Sequence, residues 1–205
     1  MVIDVIRATS TIVTALANGA DGVKPVADLE DAFDLAEAFP NAILAGERGG
    51  RPLPGFDMGN SPEDFTPAEV KGLRVILTTT NGTQALAACT GAKKVVTASF
   101  LNLTAVAGCL LELGPPWMIL CAGCNGEFGV DDGAVAGALA EALNVDHSFV
   151  SLYRSVKNRR AEMLLGSDAG QELVKVGMEK DLPFCAKLDL FCTVPTLDDD
   201  GILRG

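Results

Sequence analysis

The 205-residue sequence contains one histidine, one tryptophan and one tyrosine, and it is short of positive charge. Its 16 lysines and arginines stand against 27 aspartates and glutamates, which gives a formal net charge of −11. Such a charge opposes binding to nucleic acid or to an anionic membrane, so we expect neither as a partner. Because His147 is the only histidine, a histidine-nucleophile phosphatase and a histidine-rich metal centre are both disfavoured.

Several sequence signatures are also missing. No apolar run has transmembrane length and no signal peptide is present, which predicts a cytoplasmic protein. Neither the GxGxxG of dinucleotide-binding proteins nor the GxxxxGK[ST] of P-loop NTPases occurs. The six cysteines do not suggest a disulfide framework, and Cys121-Ala-Gly-Cys124 lacks the second pair of a structural zinc site. Redox chemistry stays open there, beside the simpler interpretation of Cys121 as a small buried side chain.

The rest of the chain alternates short apolar runs with helical patterns. Strands are predicted near Met1 and at residues 23–26, 42–45, 74–78, 95–98, 117–121 and 191–194, and late helices at residues 148–165 and 181–188. This alternation predicts one three-layer α/β/α domain over residues 1–205, with a largely parallel or mixed sheet covered on both faces. Because Met1 lies inside the first predicted strand, we expect that strand to be truncated.

The first strand leads directly into a helix at residues 2–11, VIDVIRATST. Thr9 and Ser10 are N-cap residue types, and the free N–H groups of a first helical turn attract anions. Asp4 and Arg7 flank the end of the strand. The pattern indicates a site for a phosphate and a divalent cation, although an ordinary turn with a solvated ion pair would produce the same sequence.

Polar side chains follow the predicted strands at five places. In a parallel sheet these strand ends meet at one edge, where ligands bind. The clusters are Asp4 with Arg7, Thr9 and Ser10; Glu47 with Arg48; Thr79 with Asn81 and Thr83; Ser99 with Asn102; and Asp131 with Asp132. Acids, arginines and capped helix ends together suit a metal-assisted transfer of a phosphoryl group to water.

Five segments resemble, in order, the signatures of the 2-phosphosulfolactate phosphatase (ComB) family. They are residues 3–11 (IDVIRATST), 46–50 (GERGG), 55–62 (GFDMGNSP), 79–83 (TTNGT) and 99–102 (SFLN). The resemblance implies the α/β/α fold of that family and Mg²⁺-dependent hydrolysis of 2-phospho-3-sulfolactate to 3-sulfolactate and phosphate, a step of coenzyme M biosynthesis. The chain departs from the family where Asp131 replaces the usual glutamate and where Ala169 replaces an expected histidine.

The resemblance and the residue types together suggest roles for individual side chains. The expected catalytic residues are Asp4, Arg7, Glu47, Arg48, Asn81 and Thr83; the expected substrate-binding residues are Thr9, Ser10, Asn60, Gly82, Ser99 and Asn102; and the expected magnesium ligands are Asp4, Glu47 and Asp132. Asp57 is a weaker ligand candidate that an Asx-turn would also explain. The alternative for Arg48 is an ion pair with Glu47 or another acid. Capping and turn hydrogen bonds are the alternative for Asn60, Ser99 and Asn102.

The sequence therefore predicts a magnesium-dependent phosphatase that acts on a small, doubly anionic acid. Asp4 is expected to serve as a metal ligand or as the nucleophile, and both a covalent aspartyl-phosphate and a metal-bound water fit the pattern. Two other functions remain open: a phosphatase of the same fold with another phosphorylated hydroxy acid as substrate, and a non-catalytic anion- or metabolite-binding protein. A homodimer is compatible with the sequence.

Overall fold

The computed structural model describes residues 1–205 and contains nine strands and ten α-helices. The strands are β1 (Val2–Ile3), β2 (Gly22–Pro25), β3 (Ile43–Arg48), β4 (Arg51–Pro52), β5 (Arg74–Thr78), β6 (Thr97–Ala98), β7 (Leu120–Cys121), β8 (Thr196–Leu197) and β9 (Leu203–Arg204). The helices are α1 (Ala8–Ala17), α2 (Leu29–Ala38), α3 (Pro67–Val70), α4 (Gly82–Ala87), α5 (Leu103–Leu113), α6 (Val130–Ala142), α7 (Ser148–Val156), α8 (Arg160–Gly166), α9 (Asp168–Val176) and α10 (Leu182–Cys185). Three short 3₁₀ turns lie at Pro62–Asp64, Phe100–Asn102 and Glu179–Asp181. None of the helices combines the length and the apolar character that a membrane crossing requires.

The strands form a six-stranded mixed sheet, β4-β3-β5-β2-β9-β8, and a three-stranded parallel sheet, β6-β1-β7. In the larger sheet β3, β5 and β2 are parallel, while β4, β8 and β9 pair antiparallel with their neighbours. The amide of Thr97 donates to Pro195 O and the amide of Leu197 donates to Val95 O, which connects the two sheets. The predicted α/β class with a mixed sheet is confirmed.

Successive residues of β1 face opposite sides of the sheet, as the two-residue period of a strand requires. Ile3 packs in the largest apolar cluster with α5 and α6, whereas Val2 packs in a second cluster with α1 and the larger sheet. Helix α1 is buried along nearly its whole length, from Ala8 to Leu16, so it packs against the protein on more than one face. Both faces of the parallel strands are therefore covered.

Two predictions of secondary structure were wrong. Residues 191–194 form no strand, because the segment is held by a bond from Phe191 N to Leu101 O and by the side chain of Asn102 rather than by a ladder. Residues 148–165 form two helices, α7 and α8, with a break at residues 157–159. The turn at residues 79–83 does lead from β5 into α4, as the helical pattern after it predicted.

Candidate active site

A cleft of about 120 Å³ lies where β1, β3, β5 and β7 end. Each of these strands is followed by residues that line it: Asp4 and Arg7 after β1, Glu47 at the end of β3, Thr80 and Asn81 after β5, and Cys124 and Asn125 after β7. Asn60 reaches the cleft from the long loop after β4, and Ala169, Glu172 and Leu173 reach it from α9. The predicted convergence of polar clusters holds for Asp4, Arg7, Glu47 and Asn81, although these residues follow strands of two sheets and not of one.

Asp4 is the first residue after β1, and its side chain is held by the start of α1. The amide of Ala8 donates to Asp4 Oδ1 over 3.2 Å, and Thr9 Oγ1 donates to Asp4 O over 2.7 Å. The residue is only 6% exposed. Burial, followed by repulsion from Asp131 and Glu47, raises the pKa of Asp4 to about 7 against the opposing effect of the Ala8 hydrogen bond. A carboxyl with this pKa can exist in both protonation states near neutral pH.

Glu47 is fixed by three donors around the end of β3. Its Oε1 accepts from the amide of Thr80 over 2.8 Å, and its Oε2 accepts from the amide of Gly50 over 2.7 Å and from Thr80 Oγ1 over 3.2 Å. The turn that returns the chain into β4 uses Gly49 and Gly50, both at positive φ, which side chains with a Cβ adopt with difficulty. Glu47 is thus a buried carboxylate with a single fixed orientation.

Arg7 is the only basic residue that lines the cleft. Its Nη1 donates to Asp181 Oδ2 over 2.6 Å, and its Nη2 donates to Gly50 O over 2.8 Å. Arg7 is 4% exposed, and the peptide bond before it, from Ile6, is cis. The guanidinium has five N–H donors, so donors remain available for an anion in the cleft.

Asp131 and Asp132 begin α6 and are both buried. Asp132 Oδ1 accepts from the amide of Val5 and its Oδ2 accepts from the amide of Gly123, both over 2.9 Å. Burial raises the pKa of both carboxyls, and repulsion from Asp131 and Asp4 raises the pKa of Asp132 well above its usual range. Asp132 therefore ties β1 to β7 beneath the cleft and does not line it.

Gly82 lies against Asp4, where no larger residue fits. A Cβ at this position would lie 2.6 Å from Asp4 Oδ2 and 2.5 Å from Ala8 Cβ. Thr83 does not line the cleft, because its hydroxyl donates to Thr79 O and accepts from the amide of Thr79, which closes the turn. Of the TTNGT segment, Thr80 and Asn81 face the cleft, and Gly82 allows the close approach to Asp4.

Four other predicted site residues have their polar groups engaged within the fold. Ser99 and Asn102 form a reciprocal cap on the turn before α5, and Asn102 also donates to Thr97 O and Thr193 O. The hydroxyl of Ser10 donates to Val5 O, and that of Thr9 bonds to the backbone of Asp4. These side chains do not line the cleft, and the capping alternative describes Ser99 and Asn102.

Arg48 also points away from the cleft. Its Nη1 donates to Glu47 O over 2.7 Å, and its Nη2 donates to Thr78 Oγ1 over 2.9 Å and to Ala27 O over 3.3 Å. Arg48 therefore does not line this cleft, and it forms no ion pair with the Glu47 carboxylate or another acid; its role toward a substrate stays a prediction. Asp57 Oδ2 accepts from the amide of Leu44, so this side chain is occupied in closing its own loop.

Cys124, Asn125 and Glu172 also line the cleft, although none was predicted as a site residue. For Cys124 and Asn125 the available signal was their position after the predicted strand at residues 117–121, whereas Glu172 lies in α9 and had no such signal. All six cysteines are free. Burial raises the pKa of Cys121 to about 12 and also raises that of Cys124, helped by repulsion from nearby acids. Both thiols are consequently protonated at neutral pH, which disfavours thiolate redox chemistry at this pair.

Oxygen atoms suited to a divalent cation are present, although they are not preassembled. No group of three or more histidine, cysteine, aspartate and glutamate side chains is arranged to hold a metal ion, so Asp4, Glu47 and Asp132 do not form a ready-made cage. Asn60 is 3% exposed, lines the cleft, and has a buried Oδ1 without a hydrogen-bond partner. With Asp4 and Glu47 beside it, this donor set fits Mg²⁺, which uses one or two carboxylates and keeps several waters.

Comparison with known proteins gives a consistent result over the length of the chain. Residues 1–200 match the family described as 2-phosphosulpholactate phosphatase. A protein of Thermotoga petrophila named probable 2-phosphosulfolactate phosphatase is 41% identical, over 96% of this chain and 88% of that protein. Proteins with the same name from Symbiobacterium thermophilum (41% identical; 99% and 92% covered) and Carboxydothermus hydrogenoformans (40% identical; 95% and 84% covered) are also similar. The similarity therefore extends well beyond the cleft.

Proposed function

The chain belongs to the 2-phosphosulfolactate phosphatase family, a family of phosphoric monoester hydrolases, and we propose that it hydrolyses 2-phospho-3-sulfolactate in a Mg²⁺-dependent reaction. The resemblance inferred from five sequence motifs is confirmed. The observation that best supports the proposed chemistry is the buried carboxyl of Asp4, which shares a cleft with Glu47, Arg7 and the unpartnered Asn60 Oδ1. The products would be 3-sulfolactate and phosphate, and the reaction would be a step of coenzyme M biosynthesis.

Each residue of the cleft has a defined task in this proposal. Asp4 and Glu47, with Asn60 Oδ1, would hold Mg²⁺, which would supply positive charge beside the phosphoryl oxygens. Arg7 directs its remaining N–H groups at the same oxygens, since a planar guanidinium matches a phosphoryl group. Thr80 orients Glu47 through its amide and hydroxyl, and Asn81 offers a side-chain amide at the rim.

Asp4 has two chemical roles that the proposal allows. As a carboxylate it can attack phosphorus to form an aspartyl-phosphate; the P–O bond to the substrate breaks, 3-sulfolactate leaves and takes a proton from solvent, and water then hydrolyses the aspartyl-phosphate to phosphate. Alternatively it can accept a proton from a water that attacks phosphorus directly as the same P–O bond breaks. The Ala8 amide at Asp4 Oδ1 fixes the orientation of the group for either role. Rapid acid quench of a single turnover distinguishes them, since only the first leaves phosphate covalently bound to the chain.

The other substrate hypothesis is a different small phosphorylated hydroxy acid, and a non-catalytic anion-binding protein is the third candidate. The cytoplasmic location and the homodimer stay predictions from the sequence. Family membership supports a small phosphorylated substrate in general. That this substrate also carries a sulfonate group is the more specific part of the proposal.

The decisive experiment measures phosphate release from 2-phospho-3-sulfolactate with Mg²⁺ and with EDTA. Wild type, Asp4→Asn and the control Asp199→Asn are compared, since Asp199 is exposed in the C-terminal segment and its replacement changes the charge equally. We expect Mg²⁺-dependent release by the wild type and the control, and none by Asp4→Asn. Folded wild type that releases no phosphate from this or other phosphorylated hydroxy acids would refute the proposal.

A further inference from the structure

We propose that Asp181 is a positioning residue that fixes the Arg7 guanidinium toward the cleft and, through it, the turn that carries Glu47. The inference rests on the function proposed above, because it assigns Arg7 to the phosphoryl group. Asp181 itself does not line the cleft, and Arg7 is the only lining residue to which its side chain is hydrogen-bonded. Its direct link to the cleft is therefore Arg7.

The Asp181 side chain is completely buried, and each of its oxygens has one strong donor. Arg7 Nη1 donates to Oδ2 over 2.6 Å, and Ser61 Oγ donates to Oδ1 over 2.7 Å. Asp181 is 174 residues from Arg7 and 120 from Ser61, so the carboxylate joins three distant segments of the chain. A charged group without water needs such partners, and here both are in place.

The hydrogen bonds continue from Arg7 to Glu47, which also lines the cleft. Arg7 Nη2 donates to Gly50 O over 2.8 Å, and the amide of Gly50 donates to Glu47 Oε2 over 2.7 Å. The carbonyl and the amide of Gly50 thus link the Arg7 guanidinium to the Glu47 carboxylate. One chain of hydrogen bonds, here called the relay, connects Ser61, Asp181, Arg7, Gly50 and Glu47. A displacement of Arg7 would therefore also displace Glu47.

Stability alone is a weak reason for this arrangement. A buried ion pair recovers in attraction about what it loses in hydration, and apolar residues of similar volume often do as well. A fixed guanidinium, in contrast, is directly useful where charge develops during phosphoryl transfer, since no reorganisation is needed at the moment of reaction. Arg7 is the only basic residue that lines the cleft, so no other lining side chain could replace its positive charge if it were displaced.

The test is a double-mutant cycle on phosphate release, with Asp181→Asn, Arg7→Gln and the double variant. A small misplacement of a catalytic group can lower the rate by about 100-fold, so we expect Asp181→Asn to reduce kcat/KM by ~10- to 100-fold, through a lower kcat together with weaker binding of the phosphoryl group. Because Asp181 acts through Arg7, adding Asp181→Asn to Arg7→Gln should cause no further loss. Losses that multiply in the double variant would overturn the inference.

Asp189→Asn is the matched control, since Asp189 also accepts two hydrogen bonds, from Thr104, in the same C-terminal part of the chain. It should keep wild-type kcat/KM. If Asp181→Asn does not fold, Ser61→Ala replaces it in the cycle, because it removes one bond and leaves the charge in place. We expect a loss of ~2- to 5-fold that disappears when Arg7 is already Gln, and a loss that persists there would contradict the relay.

Binding of inorganic phosphate with Mg²⁺, measured by calorimetry, separates this inference from the proposed function. Wild type that releases no phosphate but binds it would refute the function alone. The inference would still be supported if Asp181→Asn and Arg7→Gln weakened phosphate binding by the same factor while Asp189→Asn did not. Equal phosphate affinity in all variants, or no binding by the wild type, would overturn the inference.

Discussion

Replacing Asp4 by Asn is expected to stabilise the fold while it abolishes phosphatase activity. Asp4 is buried, and its pKa rises from the ordinary value of 3.8 to about 7, chiefly because burial removes water from the carboxylate. Asparagine has the same shape, can still accept from the Ala8 amide, and carries no charge. The variant thus removes the free-energy cost of burying the charge and changes little else in the site.

The size and the pH dependence of this effect follow from linkage. Below pH 3.8 the carboxyl is protonated in the folded and unfolded states alike, so its raised pKa has no effect on stability. Between pH 3.8 and 7 the folded protein holds a proton that the unfolded chain has released, so stability falls as pH rises. At about 1.4 kcal/mol per pKa unit the full loss, reached above pH 7, is about 4 kcal/mol.

Urea unfolding of wild type and Asp4→Asn in EDTA, in steps from pH 4.5 to pH 8, measures this difference. We expect the variant to be more stable by about 1 kcal/mol at pH 4.5 and by up to about 4 kcal/mol at pH 8. Asp199→Asn, which changes an exposed carboxyl, should show no comparable trend. A stability difference that does not change with pH, or a wild type that is the more stable protein at pH 8, would refute the reasoning.

Three further substitutions check the geometry of the site. Gly82→Ala would place a Cβ 2.6 Å from Asp4 Oδ2. Steady-state kinetics should therefore show at least a ~10-fold loss of kcat, and urea unfolding should show that the free energy of unfolding falls by about 1–3 kcal/mol. Asn102→Ala should lower the free energy of unfolding by about 2 kcal/mol with KM unchanged, since its amide bonds only to backbone; a raised KM would argue for a substrate contact. Arg48→Met should also leave KM unchanged in a substrate titration, since the guanidinium bonds to Glu47 O and to the Thr78 hydroxyl; a raised KM would contradict this.

Local signals in the sequence were enough to predict the framework around the cleft. A short apolar run followed by hydroxyl residues and a helical pattern gave the junction of β1 and α1, and the same reasoning gave β5 and α4. The antiparallel strands β4, β8 and β9 were not predicted, because each has only two residues and therefore shows no alternation of apolar and polar side chains. Their pairing depends on neighbours far away in sequence.

The direction of individual side chains could not be predicted in the same way. Ser99 and Asn102 have the residue types of a binding site, yet they satisfy each other and the nearby backbone. Arg7 and Arg48 were equivalent candidates, and only the folded chain shows that one lines the cleft while the other bonds to Thr78. The partner that holds Arg7, Asp181, lies 174 residues away, a distance over which no local pattern can act.

The charges of the cleft also explain why an acidic protein would bind an anionic substrate through a cation. Asp4, Glu47 and Glu172 line it, and Arg7, the one base, already faces Asp181. Burial, followed by repulsion from Asp131 and Glu47, raises the pKa of Asp4, so a divalent cation bound beside it should favour the ionised form and displace the proton. Calorimetric titration of Mg²⁺ at pH 6, in buffers with different ionisation heats, should therefore detect release of nearly one proton per site. Asp4→Asn should release none, and a buffer-independent heat in the wild type would contradict the assignment of Asp4 to the cation.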